Sequence, residues 1–160
     1  MAAKDATFLA SVFDRLLDDN TAVRQRSRAQ QLLDLRNAVR RDLEDLLNTH
    51  RPWRSPPSGL TELPGSLLEY GIPDFYAGNT GSAAGREEFR RSVEEIIRRF
   101  EPRFKTVKVT VPDGGLAEDR TMRFQIEALM YAEPAPERVT FDSLLDPGSN
   151  NFSVIGTRDG

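Results

Sequence analysis

The chain has 160 residues, 38% of them hydrophobic and 8% aromatic, which is enough for one domain with its own core. With 22 basic and 25 acidic residues the formal net charge is -3, and such a balance gives no global preference for nucleic acid or anionic lipid. Zero Cys excludes disulfides, thiolate zinc sites and Cys nucleophiles, and with a single His any metal site would be built from carboxylates, so no cofactor or metal is expected.

Phe8, Leu9, Val12, Phe13, Leu16 and Leu17 form a short amphipathic stretch, a marginal helix unless it docks on something. Residues 21–31 are polar and Arg-rich and read as a mobile connection. Leu32, Leu35, Val39, Leu43, Leu46 and Leu47 then line one face of a long helix, with Asp34 as its expected cap and Asn48 at its end. Residues 50–73 hold five Pro and the lone Trp53, too rich in Pro for regular pairing and too apolar for free coil, so a loop wrapping the core is expected. A short helical patch is read over 62–70, with Gly71 as its left-handed terminator. A Gly-rich surface loop over 78–85 leads to the second long helix, whose Glu87 and Glu88 are placed in the first turn and Arg98 and Arg99 in the last, matching the helix dipole.

The organising stretch is 86–111. Phe89, Val93, Ile96, Ile97 and Phe100 fit one face of a helix, and Phe104, Val107, Val109 and Val111 fit one face of a strand. Between them Pro102 has no N–H and disfavours helical geometry at the preceding residue, so the period changes across a chemically fixed corner. Glu101 and Arg103 flank it. Two readings stand: an ion pair that fixes the corner, or a surface offered to a partner.

Past the corner, Met122, Phe124, Ile126, Ala128 and Met130 alternate with polar residues in a longer strand; Val139 and Phe141 resume the alternation, and Phe152 and Val154 form a last short candidate. The links between strands are too short for helical crossovers, so the sheet is expected to be mainly antiparallel. The predicted fold is α+β: two main helices packed on one face of a small sheet, with a Pro-rich wrapping loop and an N-terminal extension. The expected organisation is an extension over 1–31, a core domain over 32–145 and a tail over 146–160. No run approaches the roughly 20 apolar residues of a membrane span and the N-terminus lacks a signal peptide's pattern, so the cytoplasm is the expected place.

Candidate chemistry is sparse. His50 lies between Thr49 and Arg51 in a loop, where a surface or capping role outweighs general base. Glu44 and Asp45, like Glu94 and Glu95, are helix neighbours that point about 100° apart and do not face each other as a glycosidase pair would. Glu101 is the best single acid, yet pairing with Arg103 would lower its pKa, the wrong direction for a general acid. The glycines over 78–85 lack the Lys and preceding strand of a phosphate loop. A binding role fits better: a sheet margin presents unpaired N–H and C=O groups that another chain completes by strand addition, and Arg suits bidentate recognition of a carboxylate.

Four motifs in order carry a family resemblance: Phe13-Asp14-Arg15-Leu16-Leu17-Asp18-Asp19; Arg41-Asp42-Leu43-Glu44-Asp45-Leu46-Leu47-Asn48-Thr49; Leu67-Leu68-Glu69-Tyr70-Gly71-Ile72-Pro73-Asp74-Phe75; and Phe100-Glu101-Pro102-Arg103. Together, over 8–130, they resemble the TssE baseplate subunits of type VI secretion systems, a family related to the small wedge protein of contractile phage baseplates. The resemblance implies a lysozyme-like α+β domain without hydrolysis, cytoplasmic and held in a baseplate docked at the inner membrane. It implies that Glu101, Pro102 and Arg103 bind the wedge subunits TssF and TssG, with TssK as a further partner, and that the sheet receives the contractile sheath subunits TssB and TssC. A peptidoglycan-cleaving hydrolase with Glu101 as acid is the alternative function, and a regulatory binding module recruited through the N-terminal stretch is a third. If the corner is an interface, Arg103→Ala is expected to weaken wedge association with little change in stability; if it is a buried pair, the loss is roughly 3 to 5 kcal/mol.

Overall fold

The first helix begins earlier than its apolar face suggests. In the computed structural model, which describes residues 16, 27–51, 59, 66–73, 82–112, 121–132 and 135–156, helix α1 spans Arg28–Asn48. Ser27 caps it, its hydroxyl accepting from the Gln30 N–H at 3.3 Å. The expected cap, Asp34, lies inside the helix and accepts instead from Gln30 Nε2. The polar run expected as a connection is therefore helical from Arg28 onward, because a Ser cap needs no apolar neighbour to start a turn. Helix α2 spans Ala83–Phe100 with Ser82 as its cap, accepting from the Gly85 N–H at 3.0 Å. This start puts Glu87 and Glu88 in the second turn, so only Arg98 and Arg99, in the last turn, match the helix dipole as expected.

Four strands follow: β1 (Phe104–Thr110), β2 (Met122–Met130), β3 (Glu137–Asp146) and β4 (Asn151–Gly156). They form an antiparallel meander in the order β1-β2-β3-β4. A register shift between Phe104 and Thr106 places a bulge just after the corner. β2 has the predicted phase, with Met122, Phe124, Ile126, Ala128 and Met130 all inward. β3 is longer than its two apolar signals, because Ser143 occupies an inward position between Phe141 and Leu145. Asp146 then closes the turn to β4, accepting from the Gly148 N–H at 2.8 Å and the Ser149 hydroxyl at 2.7 Å, while Asn150 takes a positive φ of 55°.

Both helices bury their apolar stripes on one face of the sheet, α1 against β4 and α2 against β1, in the expected α+β architecture. Phe89 of α2, Phe124 of β2 and Phe152 of β4 meet at ring separations of 5.4 to 6.2 Å and tie the two layers together. Such contacts add about 0.5 to 1.5 kcal/mol each beyond area burial. A 3-10 turn, Leu67–Glu69, stands where a longer helical patch was expected; 61–65 lie outside the described residues. So do Trp53 and most of the N-terminal extension, of which Leu16, exposed to solvent, and 27–31 are described.

Candidate interaction site

The corner at Glu101, Pro102 and Arg103 is built by the end of one helix and the start of one strand. The Glu101 N–H donates to Ile97 C=O at 2.9 Å, closing α2, and the Glu101 C=O accepts from the Phe104 N–H at 3.2 Å, turning the chain into β1. Pro102 stands exposed at the apex. Beneath it the Glu101 side chain is 5% exposed. Its Oε1 accepts from the Arg103 N–H at 3.1 Å and from Arg103 Nε at 2.6 Å, and its Oε2 from Arg103 Nη2. The same Nη2 reaches Asp42 Oδ2 on α1 at 2.6 Å, so one guanidinium joins both helices and the first strand. Burial works against the Arg103 charge, but the bonds and attraction of Glu101 and then Asp42 outweigh it and raise its pKa. Of the two readings of the corner, the geometry contains the ion pair; the Arg103 side chain remains 25% exposed.

The turn over 66–73 packs beside this corner. Glu69 pairs with Arg99 at 2.5 Å, and Tyr70 meets the Phe100 ring edge-on at 5.3 Å. Burial, then the charges of Asp45, Asp42 and Glu101, push the Tyr70 hydroxyl above its usual pKa. Gly71 does take the left-handed conformation, φ 101°, and a Cβ there would stand 2.2 Å from Thr49 O. That close approach lets the Ile72 N–H donate to Thr49 C=O at 2.8 Å and pins the turn to the end of α1. Leu67 and Leu68 are exposed on its outer side. His50 is exposed in a short bridge with Ile72.

The sheet margins are not bare. On β4, the Asn48 carboxamide acts as a substitute peptide group, donating to Phe152 C=O at 2.9 Å and accepting from the Phe152 N–H at 2.8 Å. Arg40 Nη1 donates to Val154 C=O at 3.1 Å. On β1, Glu94 Oε2 accepts from the Val109 N–H at 3.1 Å. The expectation of an unpaired margin is thus corrected in part: side chains of the helix beneath cover Phe152 and Val154 on β4 and, near the end of β1, the Val109 N–H. Sequence reasoning weighed Glu94 only as half of a carboxylate pair and Asn48 only as a helix end. It gave Asp42 no role, and each of the three acts on a distant strand or corner.

A family model for the baseplate wedge protein gp25 matches residues 33–135, from the first helix to the threshold of β3. The chain belongs to the baseplate wedge protein gp25 family. The family expected from the four motifs is thereby borne out. Curated relatives of this wedge-family chain include the anti-adapter protein IraD of Salmonella choleraesuis (strain SC-B67), 30% identical over 133 residues, covering 83% of this chain and 89% of the relative. IraD of Salmonella arizonae is 32% identical over 101 residues, 63% of this chain and 73% of the relative. Among solved structures, the baseplate complex from the type VI secretion system aligns with a TM-score of 0.48 at 15% identity, covering 78% of this chain and 97% of that one. Among the described residues no helix is long and apolar enough to cross a membrane.

Proposed function

We propose that this protein is a structural, non-enzymatic component of a type VI secretion baseplate, acting in the cytoplasm at the inner membrane and joining the wedge to the first ring of the contractile sheath. The observation that carries the reading is the wedge-family match across both helices and two strands, together with three of the four TssE-like motifs on the same span. The wedge contact, to TssF and TssG with TssK adjoining, is made by exposed Pro102 and the partly exposed Arg103 side chain, while buried Glu101 orients its guanidinium. A sheet margin receives the sheath subunits TssB and TssC by main-chain pairing at fixed register. Co-purification of the tagged full-length chain with co-expressed TssF and TssG, and separately with TssB and TssC, tests the reading. Retention of both sets is expected; retention of neither refutes it.

The relatives named anti-adapter proteins favour a second reading, in which the same fold serves as a free regulatory binder. Deleting the gene separates the two: loss of fluorescent sheath assembly supports the baseplate role, and undisturbed sheaths support the regulatory one. For the hydrolase alternative the geometry offers little, because the Glu101 carboxylate is held by Arg103 instead of facing a cleft. Purified cell wall is expected to remain uncut over a broad pH range.

A further inference from the structure

Resting on the sheath-joining reading above, we propose that β1, not β4, is the margin that accepts an added strand, and that Glu94 is a displaceable latch on it. Alternate residues of an antiparallel strand direct both backbone groups to the same side. Because the Val109 N–H points away from β2 to Glu94, Val107 presents its groups along the same margin, beyond the bulge. Val109 itself is buried, so this margin opens only when the Glu94 side chain swings aside.

The two margins differ in what must be broken. Opening β4 removes three bonds, both Asn48 bonds to Phe152 and the Arg40 bond to Val154, and leaves the Asn48 oxygen unpaired although its amide keeps Glu44 C=O at 2.9 Å and Arg40 keeps Glu44 at 2.8 Å. Opening β1 removes one bond. The released Glu94 keeps Arg90 at 2.8 Å and Arg98 at 2.7 Å on its own helix, so no charge is left without a partner. A carboxylate oxygen resting on a strand N–H occupies the place of the next strand's carbonyl, which identifies the occupant as an extended polypeptide. Its inward side chains would continue the apolar row of Val107 and Val109. Its outward ones would lie beside Lys108, with Lys105 exposed nearby, so the best fit is a segment alternating apolar and acidic residues.

The chain has no Cys, so single-Cys variants map the margin cleanly. Lys108→Cys and Thr110→Cys report on β1 and Ile155→Cys on β4; all three sites are exposed. Each full-length variant is treated with a short bismaleimide in complex with co-expressed TssB and TssC carrying single Cys residues in their terminal segments. Cross-links from positions 108 and 110 and none from 155 are expected. Cross-links from 155 alone overturn the edge assignment while leaving the sheath reading intact; a wild-type chain that retains no sheath subunit overturns that reading itself. Glu94→Ala is expected to bind the sheath subunits about tenfold more tightly and Glu94→Gln by less. Unchanged or weaker binding of a folded Glu94→Ala chain overturns the latch.

Discussion

Replacing Arg103 by Ala should destabilise the fold, contrary to what an open interface would give. The substitution removes the Nε and Nη2 donors from a Glu101 carboxylate that is 5% exposed, leaving it only the Arg103 backbone N–H. It also severs the bond that ties the corner to Asp42 of α1. Removing one partner of a buried pair costs about 3 to 5 kcal/mol, and the partial exposure of the Arg103 side chain places this case near the lower figure. For a chain of this length about 3 kcal/mol lowers the thermal midpoint by roughly 6 to 12 °C. Arg103→Lys keeps the charge but not the fork, and should lose about 1 kcal/mol. Urea unfolding followed by circular dichroism measures the free energies, and a thermal melt the midpoint. The decisive comparison is Glu101→Gln in the Arg103→Ala background: with the stranded charge removed, at least about 1 kcal/mol should return. An Arg103→Ala chain within 0.5 kcal/mol of wild type, taking roughly that figure as the scatter of surface substitutions, would show that the pair contributes nothing to the fold.

Ser143 Oγ is buried without a hydrogen-bond partner, so Ser143→Ala should raise stability by about 1 kcal/mol in the same urea assay. Gly71→Ala forces a Cβ to within 2.2 Å of Thr49 O at positive φ and should cost at least about 2 kcal/mol, seen as a lower thermal midpoint. Bonds from Arg90 and then Arg91 lower the Glu87 carboxyl from 4.5 to about 2. A depressed acid contributes stability that is present above its unfolded pKa and lost as pH falls through the folded one, so this contribution should fade between about pH 4.5 and 2. Carboxyl chemical shifts across that range check it, and a Glu87 titrating near 4.5 would contradict the bonds drawn to it.

What could be read in advance follows from the range of the forces involved. The period change across Pro102 was legible because covalent geometry and a one-sided apolar face act locally, and β2 because every inward position is apolar. The starts of both helices were missed because Ser27 and Ser82 are single polar residues among other polar residues, and only the backbone bond they accept marks them. Half of β3 was hidden by a Ser at an inward position. The bonds that define the site were the least legible. Asn48 meets Phe152 across 104 residues, Arg40 meets Val154 across 114 and Arg103 meets Asp42 across 61, so each exists only once the layers have closed.

The unequal cover of the two margins has a reason in the strands themselves. β1 carries Lys105 and Lys108, whose charges repel a second copy of the same edge, so light cover by one carboxylate suffices to keep it from pairing with itself. β4, Asn-Phe-Ser-Val-Ile-Gly, has no charge at all and exposes Ile155 by half. Nothing in its own sequence discourages edge-to-edge pairing, and its protection must come from elsewhere. Asn48 is suited to the task because a carboxamide has the donor and acceptor of a peptide group, so it can satisfy both halves of Phe152 without bringing a charge into a half-buried place. On β4 three side-chain bonds from two residues hold the margin, whereas on β1 a single carboxylate bond to Val109 does so. The lysines that repel a like strand also attract an acidic one, so the features that keep β1 from joining another copy of itself leave it open to a strand of opposite charge.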